Sequence, residues 1–297
     1  MPRSSLCGWL LKTAELCMPL LLELQKNIVR SPYVQADETT VQVLDEVGRN
    51  NTIKSYMWCY RNHKKNPTIV FDYEETRGGY HAAEFLKGFK GYLQTDAYSG
   101  YYWARDHETI ISVGCNAHAR RPFAELVKLS KGGLAGNALK FYKKLYAIET
   151  EAREKNLQSD EQHQLRTIKA SSIWDAFKKW LEHHLPKTSE QGKIGKAIRY
   201  CLKHWTELTN YLLDGRIEID NNLIENAIRP FALGRKNWLF SGSPVGAKAG
   251  ALFYSLIETC RANNVEPYQY FCIMLHRIRL CKSAEDYRHL LPQFIKI

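Results

Sequence analysis

A chain of 297 residues that is 44% hydrophobic and 25% charged can bury a sizeable core and has the make-up of a globular protein, which excludes disordered and collagen-like classes. Lys and Arg number 42 against 31 Asp and Glu, a formal charge of +11; such an excess points first to nucleic acid as partner, with a merely solvated basic surface as the alternative. The eight cysteines contain no Cys-x-x-Cys pair, which excludes zinc-finger spacing, and with no secretory signal they read as reduced thiols of a cytoplasmic protein.

In chain order, Leu6, Trp9, Leu10, Ala14, Leu20, Leu21 and Leu24 recur at helical spacing and predict an amino-terminal helical arm over residues 1–30, interrupted at Pro19 into one helix or two. An exposed Trp9 fits a packing arm or the remnant of a longer protein. The run from Met18 to Glu23 is too short and too interrupted to span a membrane, so no membrane partner is expected. Ser31-Pro32 ends the arm. Three strands follow: Tyr33 to Leu44 with period-two alternation, Ile53 to Tyr60 after the Gly48–Asn51 turn, and Thr68 to Tyr73 after the basic loop His63-Lys64-Lys65. Gly78-Gly79 opens a helix to about Phe89; Gly91 to Thr95 and Ile110 to Cys115 read as fourth and fifth strands, flanking an aromatic turn from Asp96 to Trp103.

From about residue 117 the pattern is helical throughout: Ala117–Ser130, Asn137–Lys155, Asp160–Leu185 and Gln191–Leu213. A further helix follows Asp220. A glycine- and lysine-bearing loop then runs to Gly250, with helices over Ala251–Asn263 and Pro267–Arg279 and a docking tail beyond. Three strands, a helix, a strand, a helix and a strand is the order of a ribonuclease H-like fold, an α/β mixed sheet with helices on both faces. The expected organisation is an arm (1–30), a core (31–130), a large helical insertion (131–215), a second core segment (216–260) and a helical carboxyl-terminal tail (261–297). In that topology the first and fourth strands are central neighbours, which brings Asp37 and Asp96 side by side.

The segment Asp220-Asn221-Asn222-Leu223-Ile224-Glu225 carries the third candidate. Leu223, Ile224, Ala227, Ile228 and Phe231 form one buried stripe, and Glu225 lies off it, one turn before Arg229. Judged alone, Glu225 reads as the partner of an Asn222 N-cap. Likewise, Asp37 alone is an acid in an edge strand, and Asp96 alone a helix cap. Together they match what two-metal phosphodiester cleavage needs, carboxylates converging on ions roughly 3.5–4 Å apart, with hard oxygen donors that select two Mg²⁺ or Mn²⁺ ions.

With these residues in view, the sequence resembles the DDE transposases of the bacterial insertion-sequence sixty-six family. The resemblance rests on Ala36-Asp37-Glu38-Thr39 with Val43-Leu44, the stretch from Leu93 to Tyr101, that from Gly114 to Phe123, Ile219-Asp220-Asn221-Asn222 with Glu225, Arg229 to Phe240, Ser255 to Cys260, and Tyr268. It covers nearly the whole chain from about Ser5. It implies a ribonuclease H-like fold with a helical insertion, an acidic triad of Asp37, Asp96 and Glu225, Mg²⁺ as cofactor, and cleavage and strand transfer at the ends of an insertion sequence. Family members usually carry amino-terminal coiled-coil, zinc-binding and helix-turn-helix segments that are not in this sequence, so end recognition is not expected from these residues. They also usually carry Arg after the Glu, where Asn226 stands here.

Beside the triad, His118 is expected as a neighbour of the active site, or else as a helix-start histidine; with Cys115 it makes too few ligands for structural zinc. Arg120, Arg121, Arg229, Arg235, Lys236, Lys248, Lys64 and Lys65 are expected against phosphate, which adds affinity without sequence specificity. Tyr98, Tyr101, Tyr102 and Trp238 are either base-stacking platforms or core aromatics. The expected partners are transposon-end and target DNA, with a homo-oligomer in the synaptic complex, on the nucleoid of a bacterial cytoplasm. The alternatives are a truncated DNA-binding remnant that does not transpose, and a structure-selective nuclease on the same fold.

Overall fold

The structure is a computed structural model describing residues 2–63, 65–129 and 133–295. It is a mixed α/β protein, and its five strands take the order β3-β2-β1-β4-β5: β1 (Tyr33–Gln42), β2 (Lys54–Asn62), β3 (Ile69–Glu74), β4 (Gly91–Gln94) and β5 (Ile110–Val113). The chain divides into two compact units, the first made of Met1–Gly91, Ser99–Ile110 and Leu223–Ile297, the second of Tyr92–Tyr98 and Ile111–Asn222.

In the first unit β1, β2 and β3 form an antiparallel meander in which Asp37 faces Cys59 and Cys59 faces Phe71. Residues directly opposite share a face, so Val41, Met57, Cys59, Ile69 and Phe71 form one apolar surface. Ile224, Ala227, Ile228 and Phe231 of α9 (Asn222–Trp238) cover it, with Ala247 and Ala251 of α10 (Pro244–Ala262). On the other face Phe85 of α2 (Gly79–Phe85) stacks on Tyr60 with ring centres 3.8 Å apart. The outer edge of β3 is closed by side chains one helical turn apart on α10. Ser255 Oγ accepts the Phe71 N–H (2.8 Å), and Thr259 Oγ1 both accepts the Ile69 N–H and donates to its carbonyl (3.0 Å each). An edge strand otherwise presents such groups to another chain.

The stripe of α1 (Arg3–Val29), with Ala14, Cys17, Leu20, Leu24 and Ile28 buried, packs on α10 and β3. The helix is continuous through Pro19, contrary to the expected interruption; proline removes one N–H, and the carbonyl it orphans belongs to the exposed Glu15, where water can satisfy it. Over 27 residues, with an 18-residue window of mean hydropathy 1.3, α1 is by length and composition long and apolar enough to cross a membrane, as core helices also can be. Two more boundaries differ from expectation. α2 stops at Phe85 because Gly88, at φ +83°, turns the chain away. The supposed loop before Gly250 is already helix from Pro244, since Ser243 caps the Gly246 N–H (3.1 Å) and proline suits the first turn. After α11 (Pro267–Arg277) and α12 (Ala284–His289) the tail docks as expected, with Leu290, Leu291 and Ile295 buried.

The second unit carries helices α3 (Asn116–Leu129), α4 (Gly133–Glu154), α5 (Ser159–Lys169), α6 (Ser171–His184), α7 (Lys193–Lys203) and α8 (Trp205–Thr209). The helical periodicity from Asp160 to Leu185 resolves into two helices joined at Ala170, and the single helix expected from Gln191 to Leu213 is broken at His204. An aromatic core holds them: Trp174 meets Trp205 edge to face at 5.2 Å and Tyr142 meets Phe177 at 5.3 Å. At its centre lies Arg166, fully buried, with all five N–H groups used. Nε and Nη2 grip Glu149 (2.9 and 2.7 Å), and the rest reach the carbonyls of Tyr211, Asp214 and Ile217.

Candidate active site

In the first unit the candidate carboxylates belong to a strand and to the helix that lies along it. Gln35, Asp37 and Thr39 alternate onto the face of β1 that α9 covers, because Asp37 is opposite Cys59 in the apolar surface. Two hydrogen-bonded anchors hold helix to strand. The buried Gln35 carboxamide accepts the Ile224 N–H (3.1 Å) in the first turn of α9, and its own amide donates to the Tyr33 hydroxyl (2.8 Å). Near the other end of α9, Arg235 Nη1 donates to Thr39 Oγ1 (2.8 Å) and Thr40 Oγ1 (3.0 Å) and to the Thr40 carbonyl. Asp37 stands between these anchors on the strand, and Glu225 follows Ile224 at the first.

Asp37 is half-buried, and its Oδ1 accepts the Glu38 N–H (2.9 Å). Its charge is felt by Cys59, whose thiol is pushed well above its ordinary range by burial first and by Asp37 second. Glu38 points to the opposite side, where Arg77 Nε (2.7 Å) and the buried Tyr101 hydroxyl (2.7 Å) hold it as part of the fold. Half-buried Asp37 and Glu225 are hard oxygen donors, a chemistry that fits Mg²⁺ or Mn²⁺ better than zinc.

In the second unit Asp96 lies two residues past β4, and its Oδ1 accepts the Tyr98 N–H (2.9 Å) in an Asx turn. Asp220 is buried; its Oδ1 accepts the Asn222 N–H (3.2 Å) and its Oδ2 the Tyr146 hydroxyl (2.9 Å). The N–H groups opening α9 are thus taken by Asp220 and Gln35, where the sequence suggested Asn222 as cap. His118 sits in the first turn of α3, against a cavity between α3 and α7. Arg120 and Arg121 are exposed, and the Arg120 guanidinium lies 5.8 Å from the centre of the Tyr146 ring.

Of the residues expected against DNA, Arg229, Lys236, Lys248 and Lys65 are exposed, while Lys64 lies outside the described residues. Arg235 is engaged by β1, and Trp238 packs edge-on against Phe231 (5.4 Å). Tyr101 is buried. Lys248 lines a cavity with Asp72 and Glu74; burial raises the Asp72 carboxyl to about 7, with Glu74 adding to the rise and Lys248 opposing it. The roles of Gln35 and Arg166 carried no signal in the sequence, and Asp220 stood out only as part of a motif, not as the partner of the Asn222 N–H and the Tyr146 hydroxyl.

Comparison with known proteins gives a consistent result. A family profile described as "Transposase IS66 family" matches residues 1–249, and one described as "IS66 C-terminal element" matches residues 255–293. Among relatives, "Uncharacterized protein y4qI" of Sinorhizobium fredii (strain NBRC 101917 / NGR234) is 35% identical over 280 residues, covering 90% of this chain and 51% of its own length. "Uncharacterized protein y4jD" of the same strain is 30% identical over 288 residues, 93% of this chain and 56% of its own. The chain therefore spans about half the length of the curated relatives it matches.

Proposed function

Because the chain belongs to the IS66 transposase family, we propose that it is the catalytic part of a DDE-type transposase acting on DNA. Its sheet is read as ribonuclease H-like, a reading supported by the strand order β3-β2-β1-β4-β5 and by helices on both faces of the β1–β3 meander. Asp37, Asp96 and Glu225 are the residues proposed to hold two divalent cations, Mg²⁺ or Mn²⁺. The observation that carries this assignment for Asp37 and Glu225 is the pair of anchors, Gln35 to Ile224 and Arg235 to Thr39, which set the first turn of α9 and its Glu225 alongside the strand face that bears Asp37; Asp96 enters by its place in the family's motif order.

When bound, such ions supply Lewis-acid activation of water and neutralise charge that builds on the phosphate. The protein's own share is positional. Asp37, Asp96 and Glu225 would supply oxygen donors to the ions and form no covalent intermediate. The exposed Arg229 and Lys236 bind the phosphate backbone, Arg229 from the turn after Glu225. His118, with Arg120 and Arg121 behind it on α3, orients the scissile phosphate. Hydrolysis at the end of the element frees a 3′-hydroxyl, which then attacks a target-DNA phosphorus; the bond from that phosphorus to the target strand's 3′-oxygen breaks, and that oxygen leaves as a new 3′-hydroxyl. Two copies are proposed to act together, one on each end of the element.

The test is cleavage and strand transfer with Mg²⁺ on a DNA bearing the element's ends. Asp37→Asn, Asp96→Asn and Glu225→Gln should each lower both steps to background while leaving DNA binding intact. Near-wild-type activity in any one removes that residue from the site. Because the chain spans about half its relatives' length, a second reading is a DNA-binding protein that does not transpose; wild-type binding without Mg²⁺-dependent cleavage would favour it, and cleavage without transfer would favour a nuclease.

A further inference from the structure

The second unit has a cavity of which the proposed chemistry uses only His118, at one end. It is a trough of about 430 Å³, within the range of small-ligand sites, running between α3 and α7. Pro122, Leu126 and Leu129 of α3 form one wall, Ala197 and Tyr200 of α7 the other. Leu129 is exposed at the mouth of the trough, so the apolar wall is open to solvent there. The rim is of a different character. Lys193 and Lys196 also line the trough; both are exposed, and among the described residues neither is in an ion pair. Helix α7 as a whole carries Lys193, Lys196, Arg199 and Lys203 and no acid. Lys193, Lys196, Tyr200 and Lys203 are spaced i, i+3, i+7 and i+10, so cations flank the aromatic along one stripe. The lining includes a single acid, Glu125.

An apolar slot with an aromatic side chain, bordered by the exposed cations Lys193 and Lys196, is complementary to one chemical object above others: a flat aromatic base attached to a chain of phosphates. A paired base cannot enter a trough, because its faces are covered by its neighbours; an unpaired one presents both. We propose that the α3–α7 trough takes an unpaired nucleotide of single-stranded DNA, its base lying against Tyr200, Leu126 and Pro122 and its flanking phosphates on Lys193 and Lys196. This rests on the reading of the chain as a DNA-cleaving protein, in which frayed or cut ends supply such nucleotides. His118, at the end of the same trough, would then meet the nucleotide's sugar-phosphate side.

The test uses the whole chain without divalent metal, so that it reads binding and not cleavage. Anisotropy titrations compare a blunt duplex with the same duplex carrying a short single-stranded overhang that contains the fluorescent base aminopurine. Wild type should prefer the overhang roughly tenfold, within the range for one stacked base, and the aminopurine should be quenched on binding. Tyr200→Ala should abolish preference and quenching, and Tyr200→Phe, which keeps the ring, should retain both. Lys193→Gln and Lys196→Gln, at exposed positions that tolerate change, should each lower the salt slope of overhang binding by roughly one phosphate contact. Equal wild-type affinity for both DNAs, a Tyr200→Ala loss shared equally by them, or unchanged salt slopes would overturn the proposal. So would tight capture of an acidic amphipathic peptide without overhang preference, which would assign the trough to a protein partner. Overhang preference that persists while Asp37→Asn leaves strand transfer untouched would sink the catalytic reading and leave this one standing.

Discussion

Replacing Arg166 with Met probes how the helical unit holds the segment that leads to Asp220. The guanidinium is fully buried and makes two bonds to Glu149 and one each to the carbonyls of Tyr211, Asp214 and Ile217. Methionine keeps the apolar stem and removes every one of them. Glu149, itself only 5% exposed, is left as a buried charge with its main partner gone. Breaking one side of a buried pair costs about 3–5 kcal/mol, and each orphaned carbonyl adds up to roughly 1–3 kcal/mol unless water reaches it. A net loss of about 4 kcal/mol is expected, a large part of a typical domain's stability of about 5–15 kcal/mol. Urea unfolding followed by tryptophan fluorescence measures it, since Trp174 and Trp205 pack in the same core and Trp174 Nε1 donates to the Tyr211 hydroxyl (3.1 Å). The double variant Arg166→Met with Glu149→Leu removes the stranded charge and should recover about half of the loss. A single-variant loss below about 1 kcal/mol, or a double variant no more stable than the single, would refute the view that this pair and its carbonyls hold the segment.

Asp72→Asn should flatten the pH dependence of stability. Its carboxyl is raised to about 7 in the fold, chiefly by burial, against an ordinary 3.8, so the fold favours the protonated acid. That contribution is complete below about pH 4 and is lost as pH rises through about 7; its ceiling is roughly 4 kcal/mol, and partial exposure reduces it to about 1–3 kcal/mol. The variant's advantage over wild type should therefore grow between about pH 5 and 8 in parallel melts, and a constant difference would show that Asp72 does not titrate there. Gln35→Met keeps the volume but removes the acceptor of the Ile224 N–H, with an expected cost of about 1–3 kcal/mol. Because the start of α9 is then free to shift, Mg²⁺-dependent strand transfer should fall more than DNA affinity does; equal falls in both would mean that Gln35 matters only to stability.

Some of this protein was set by local pattern alone. The alternation from Tyr33 to Leu44 specifies a strand, which the fold goes on to cover on both faces, and the stripe of Leu223, Ile224, Ala227, Ile228 and Phe231 specifies a helix with one buried face, since burial imposes period two or 3.6 on any sequence. The order of the motifs around Asp37, Asp96 and Glu225 was enough to indicate the family. Other features are invisible to periodicity because their partners lie far away along the chain. Gln35 reads as one more polar residue in a strand until Ile224, 189 positions later, brings its N–H to it. Ser255 and Thr259 read as weak points in a helix until β3 offers an edge 184 and 190 positions earlier. Arg166 reads as a solvated charge on a helix face until five acceptors enclose it. Helix continuity through Pro19 and the early start of α10 were likewise decided by exposure and capping, not by composition. The sequence by itself determined which residues are apolar, how they repeat and which carboxylates are candidates. Only the tertiary structure decided which buried polar groups are satisfied, and hence which side chains hold α9 against β1, because a hydrogen bond depends on the three-dimensional position of both its ends.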